Sequence, residues 1–251
     1  MASTIQQAGS LFSIALRSAD SIAVDERNGH QRAALVSLVF AVISLEAFFN
    51  ETVELANMAL ISERAFVANG VNPKSPEPEV VYAFVQLMTD AEKARSSLES
   101  KFLLANWLLT GKSLDRGAQP YQDLTLLLKV RNQLVHFRPN DIFTEPEVTP
   151  EILSHSQNPA IVQLRSKNVL ATDIVGLSGW TAWIETKAMA KWACDVASRM
   201  VLDFVSKTPV EGQWGHFLRF SQRSFTPEVT AAAVKSLSAP VASPESDAGD
   251  K

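Results

Sequence analysis

An all-α fold follows from three observations on the 251-residue sequence. Apolar residues recur at steps of three and four over most of the length, as on one face of a helix. No stretch alternates apolar and polar residues in the way a half-buried strand does. Clusters of glycine and proline, such as NGVNPKSPEPE at 69–79, cut the helical pattern into lengths that suit a bundle. Hydrophobic residues make up 46% of the chain, enough for a sizeable core.

Taken in order, a first helix is expected from about Thr4 to Val24, with Leu11, Ile14, Ala15 and Leu16 near one face. ERNGH at 26–30 breaks it, and a long helix then runs from about Gln31 to Asn69. The next spans roughly Val80 to Thr110 as one piece, until TGKSLDRGAQP interrupts it. A shorter helix covers about Tyr121 to Phe137, because Pro139 disfavours the α conformation at Arg138. A last long helix covers about Gly179 to Lys207, before Pro209. The expected architecture is an up-down bundle of four main helices with an additional N-terminal helix. Residues 1–29 form the N-terminal helix and linker, 30–210 the bundle, and 211–251 a C-terminal extension. A loop insertion at about 139–178 interrupts the bundle. The chain from about 226 is rich in Ala, Ser and Pro, and is expected to be disordered.

Charge and cysteine content narrow the function classes. A formal net charge of −4 argues against general affinity for nucleic acid or anionic lipid, while leaving room for a local basic site. From Arg95 to Arg138 there are seven Lys or Arg against three Asp or Glu, a local balance of +4. The single cysteine, Cys194, has helical apolar neighbours and reads as a packing thiol, and the compartment as reducing and cytoplasmic. No cluster of Cys, His or acids has metal-ligand spacing, and GKSLDRG lacks the glycine spacing of a phosphate-binding loop, so neither metal nor cofactor is expected. AALVSLVFAVISLEAFF at 33–49 is 17 residues long and contains Glu46, short of the roughly 20 apolar residues that a membrane span needs. A helix buried nearly all round in a bundle or dimer fits it better, and no membrane partner is expected. The N-terminus has no cationic start before its apolar residues and reads as mature sequence.

Polar chemistry concentrates in KVRNQLVHFRP, 129–139. Asn132 and His136 stand four apart and share a helix face. Arg131 and His136 stand five apart, about 140° around the helix in projection. These two reach one substrate only if the arginine bends around or a second copy of the helix faces the first, as in a symmetric dimer. His136 falls in the last turn, where unpaired carbonyls and the helix dipole favour positive charge. Imidazole suits proton transfer near neutral pH, and guanidinium suits phosphate oxygens taken in pairs. On the residues alone, a capping histidine beside a solvated arginine at a helix end is the other reading.

RNQLVH, Arg131 to His136, resembles the R-(x4–6)-H signature of HEPN domains, including the frequent polar residue after the arginine. SLEAFFNE at 44–51 also looks like the first core helix of several HEPN-type families, and the resemblance covers about residues 30–207. It implies a helical bundle that dimerises with two motifs at the interface. It also implies a metal-independent endoribonuclease of the kind found in toxin–antitoxin and antiphage systems. The partners implied are an RNA substrate, a second copy of the chain, and an antitoxin or other regulatory protein. Carried over, His136 is the acid/base that helps the RNA 2′-hydroxyl attack the adjacent phosphate. Arg131 stabilises charge on that phosphate, and Asn132 orients the phosphate or the histidine. Lys129 and Arg138, flanking the motif, are expected to contact RNA. Glu46 and Asn50, one turn apart, read either as polar positions facing the motif or as a buried pair satisfying each other.

The alternative within the same resemblance is a non-catalytic HEPN-type module that binds a partner protein or a nucleotide. A membrane-associated helical protein rests on residues 33–49 alone. His30, His155 and His216 read as surface residues. Trp180, Trp183 and Trp192 read as packing rather than as a base-stacking platform.

Overall fold

The computed structural model describes residues 7–22, 32–73, 75–136, 159–171 and 180–226, and all the secondary structure there is helical. Arg138, His30, His155 and the tail from 227 onward lie outside the described residues. The core is organised around one long helix. α1 (Gln7–Asp20) lies along α2 (Arg32–Ala68), and α2 also packs against four later helices. On α2 the buried residues Ala34, Leu38, Ala41, Leu45, Phe48, Thr52, Leu55 and Ala59 alternate steps of four and three. That rhythm keeps one seam inward over seven turns or so. α1 answers with Ala8, Phe12, Ala15 and Ala19, and its alanines let the two backbones approach closely.

α2 is the one described helix long and apolar enough to cross a membrane, by length and composition. Half of its most apolar window is buried inside the protein. Within one chain, burial therefore covers only part of the circumference, short of the burial expected in a bundle or dimer. Val36 is 40% exposed, and Val39, Phe40 and Ile43 are half-buried, on the face that continues to Glu46.

The stretch expected as one helix over 80–110 is two. α3 (Glu79–Lys93) ends at Ala94, Arg95 adopts a left-handed φ of 54°, and α4 (Leu98–Thr110) begins anew. The cause is local: Ser97 is extended and its hydroxyl accepts from the Ser100 amide at 3.2 Å, giving a fresh helix start a partner for one of its orphan donors. α5 (Tyr121–Val135) carries the motif and ends two residues before the expected Phe137, with His136 as its C-cap. Within the expected loop insertion, α6 (Pro159–Arg165) buries Ala160, Ile161 and Leu164 against the bundle. The helix expected over 179–207 is likewise divided, into α7 (Thr181–Ile184) and α8 (Lys187–Ser206). Thr186 makes that break: its hydroxyl accepts from the Met189 amide at 2.9 Å and donates to the Val169 carbonyl at 2.6 Å. One hydroxyl thus starts α8 and fastens the segment after α6.

Beyond Pro209, α9 (Gly212–Ser221) and a 3-10 turn (Gln222–Phe225) pack back onto α2 and α8. Trp214 and Phe225 are fully buried, and the Trp214 indole donates to the Thr52 carbonyl at 3.1 Å. Glu77, in the loop before α3, accepts from the amides of Gln213 and Trp214 and so caps α9 from a distance. Gly212, at a φ of 82°, leaves room for that carboxylate; a Cβ there would stand 2.4 Å from Glu77 Oε2. At the centre, the Phe204 ring lies 5.9 Å from Phe48, 5.9 Å from Phe49, 6.3 Å from Phe84 and 6.1 Å from Phe102. α8 is thereby locked against α2, α3 and α4 through one side chain.

Candidate functional site

α5 is anchored on two sides before it reaches its functional end. Asp123, 4% exposed, receives Lys167 at 2.6 Å and Arg199 at 3.0 Å, joining α5 to the chain after α6 and to α8. Burial pushes its carboxyl up, but hydrogen bonds from Lys167, Arg199 and Gln119 outweigh burial and hold it below the usual range. Tyr121, in the first turn, is buried and donates its hydroxyl to Glu99 of α4 at 3.0 Å. Burial, then the Glu99 carboxylate, raises the phenol well above its ordinary value, so Tyr121 is a permanent donor. Val130, Leu127 and Leu124 face the core, so the polar residues in the C-terminal half of α5 must turn outward.

They turn outward in two directions. An open cleft of ≈ 590 Å³ runs along the C-terminal half of α5, lined by Thr125, Leu128, Lys129, Asn132, Gln133 and His136, with Glu99 as the contribution of α4. The spacing 125, 129, 132/133, 136 is one helix face, so Asn132 and His136 share a wall as their four-residue separation requires. His136 is exposed; its own amide donates to the Asn132 carbonyl at 2.9 Å and closes the helix. Arg131 faces away from this wall toward α2. Its Nη2 donates to Glu46 Oε1 at 2.8 Å and its Nη1 to Asn132 Oδ1 at 3.0 Å. Asn132 is therefore the link: its oxygen holds the arginine, and its Nδ2 hydrogens are left for a cleft occupant.

Glu46 thus lies against Arg131, and Asn50 does not. Asn50, exposed, lines a separate groove between α2 and α3/α4 with Glu54, Glu92, Lys93 and Lys101. Lys101 is engaged there by Glu92. Thr125, Gln133 and Glu99 are site residues that reading the motif alone misses. Counting back in fours from His136 and from Gln133 reaches Asn132, Lys129 and Thr125; Glu99 comes from another helix and leaves no local signal.

Chemically, the wall offers a primary ammonium at Lys129, an amide donor at Asn132, and an imidazole at its open end. Glu99, the one acid among the described residues of the cleft, is turned toward the Tyr121 hydroxyl. Such a set can hold an anionic oxygen and exchange a proton beside it. No group of three or more metal-ligating side chains is found among the described residues. Cys194 is buried against Ser37, 3.3 Å away, and burial raises its thiol to about 11, far from nucleophilic use. Trp180 and Trp183 are buried and Trp192 packs against the core, while His216 is exposed. Comparison of the chain with family models, with curated proteins and with solved structures finds no match in any of the three.

Proposed function

We propose that the chain is a metal-independent endoribonuclease of HEPN type, acting in the cytoplasm as a homodimer of helical bundles. The observation that carries this reading is the division of labour on α5: Asn132 and His136 line one cleft while Arg131, one residue along, is presented on the flank beside Glu46. In the proposed reaction His136 takes the proton from a ribose 2′-hydroxyl and the freed oxygen attacks the adjacent phosphorus. The 5′-oxygen leaves with a proton, and the products end in a 2′,3′-cyclic phosphate and a 5′-hydroxyl. Arg131 of the second copy stabilises the charge gathering on the phosphoryl oxygens. The Arg131–Glu46 pair is partly solvated, with 26% and 42% of the two side chains exposed, so it is worth about 1 kcal/mol or less. A phosphate that offers two oxygens can displace it. The half-exposed apolar face of α2, Val36 to Ile43, leads directly to Glu46 and supplies a surface for the second copy. The reading extends to an effector held in check by an antitoxin or other regulatory protein.

A second reading rests on the same ion pair. Within one chain Glu46 holds Arg131 away from the cleft that His136 lines, which favours a non-catalytic HEPN-type module binding a protein or nucleotide. Incubation of the purified chain and of His136→Ala with total RNA, in chelator, separates the two. The nuclease reading expects cleavage by the wild type and a loss of about 10²- to 10⁴-fold in the variant. Equal cleavage by both, or intact RNA with both, leaves the binding module.

A further inference from the structure

A second cavity, of ≈ 640 Å³ and sharing no lining residue with the α5 cleft, opens between α1, the middle of α2, α9 and the 3-10 turn. Its floor is made of fully buried side chains: Phe48, Leu55 and Phe225. Its walls are Met58, Phe217 and Phe220, and the last two remain 44% and 61% exposed. Aromatic rings left open over an apolar hollow of this size are what small-molecule sites present, since such sites run from about 300 to 1,000 Å³. The backbone closes the bottom tightly. A Cβ on Gly9 would stand 2.7 Å from Ser224 Cβ, so α1 and the 3-10 turn meet with nothing between them.

Among the described residues that line this hollow, two arginines and a histidine stand against one acid. Glu51 is that acid, and its carboxylate is engaged by the first turn of α1, accepting from the Ala8 amide at 2.8 Å. Arg219 is engaged as well, donating to the carbonyls of Gly215 at 2.8 Å and Pro209 at 3.3 Å. That leaves Arg223, exposed and lying 5.7 Å above the Phe220 ring, and the exposed imidazole of His216. A guanidinium standing on a ring at the edge of an apolar hollow is placed for an anion whose body goes inside. This local excess of cations occurs in a chain of net charge −4, so general charge does not account for it.

We infer that this cavity is a binding site for a small anionic amphiphile, an alkyl carboxylate of fatty-acid type, with its chain against Phe48, Leu55, Met58 and Phe225 and its head at Arg223 and His216. The site is independent of the α5 cleft and of the reading given to it. Calorimetric titration of the full chain with dodecanoate below its micellar concentration tests it. Octanoate, dodecyltrimethylammonium and vesicles of anionic phospholipid are the comparison ligands. Saturation at one dodecanoate per chain is expected, with affinity rising by up to about fourfold per added methylene. The cationic detergent should bind about tenfold more weakly than dodecanoate. Arg223→Ala should weaken dodecanoate about tenfold while leaving the detergent unchanged. Phe220→Glu, at a position too exposed to matter for folding, should weaken dodecanoate further by setting a like charge beside it. The inference is overturned by no saturable binding, by equal affinity for the two head-group charges, by indifference to both variants, or by attachment to vesicles with none to monomeric dodecanoate.

Discussion

Phe204→Ala is expected to destabilise the protein by about 3–5 kcal/mol, the cost of deleting a fully packed aromatic side chain and leaving its space empty. Phe204 is 4% exposed, and its ring touches Phe48 and Phe49 of α2, Phe84 of α3 and Phe102 of α4. These neighbours sit on three different helices, so no single shift refills the void, and the upper half of that range applies. In a thermal melt the midpoint should fall by roughly 10 °C, at about 2–4 °C per kcal/mol for a domain of this size. Phe204→Leu, which keeps most of the volume, should cost about a third as much. Phe220→Ala is the control: that ring is 61% exposed and its loss should stay within about 0.5 kcal/mol. Comparable losses for Phe204→Ala and Phe220→Ala in urea titrations would contradict the packing described for α8.

Asp123→Ala is expected to cost about 3 kcal/mol, the low end for breaking a buried ion pair. The low end applies because the two cations left behind, Lys167 and Arg199, keep 25% and 35% of their side chains exposed and can turn to water. The variant should also loosen the segment 159–171, which Lys167 ties to α5. The pH dependence has a definite sign. The Asp123 carboxyl is held below its ordinary value of 3.8 in the folded chain, so its contribution is complete above pH 3.8. It is lost as pH falls through the lower, folded value. Wild type and Asp123→Asn should therefore converge in stability as pH falls below that folded value, having differed most at neutral pH. A gap that persisted unchanged into acid would show that the charge of Asp123 is not what joins these elements.

Much of this fold is legible in the sequence because helices announce themselves through spacing. The extent of α2 and the end of α5 before Pro139 are local properties, set by side-chain period and by the conformation proline permits. The breaks at Ser97 and Thr186 were missed for a physical reason. A single hydroxyl can start a new helix in the middle of an apolar pattern, and the apolar spacing runs on across the break as if uninterrupted. α6 and α9 were missed because each buries only three residues of its own, too few to register as a period in a polar stretch. At the candidate site, the shared face of Asn132 and His136 was readable from a separation of four, and the divergence of Arg131 from a separation of five. The contact of Arg131 with Glu46 spans 85 residues, and that of Glu99 with Tyr121 spans 22; both depend on packing that no local window contains.

In the proposed nuclease a working site takes Arg131 from one chain and His136 from the other. Arg131→Ala and His136→Ala proteins, each inactive alone, should therefore recover RNA cleavage when unfolded together, refolded and mixed. A mixed dimer rebuilds one intact site from the histidine of the first chain and the arginine of the second. With random pairing, half of the dimers are mixed and each carries one of two sites, so about a quarter of wild-type activity is expected, with fragments ending in 2′,3′-cyclic phosphate. If mixing restores nothing although heterodimers form, both residues act within one chain or neither acts, and the composite site does not exist.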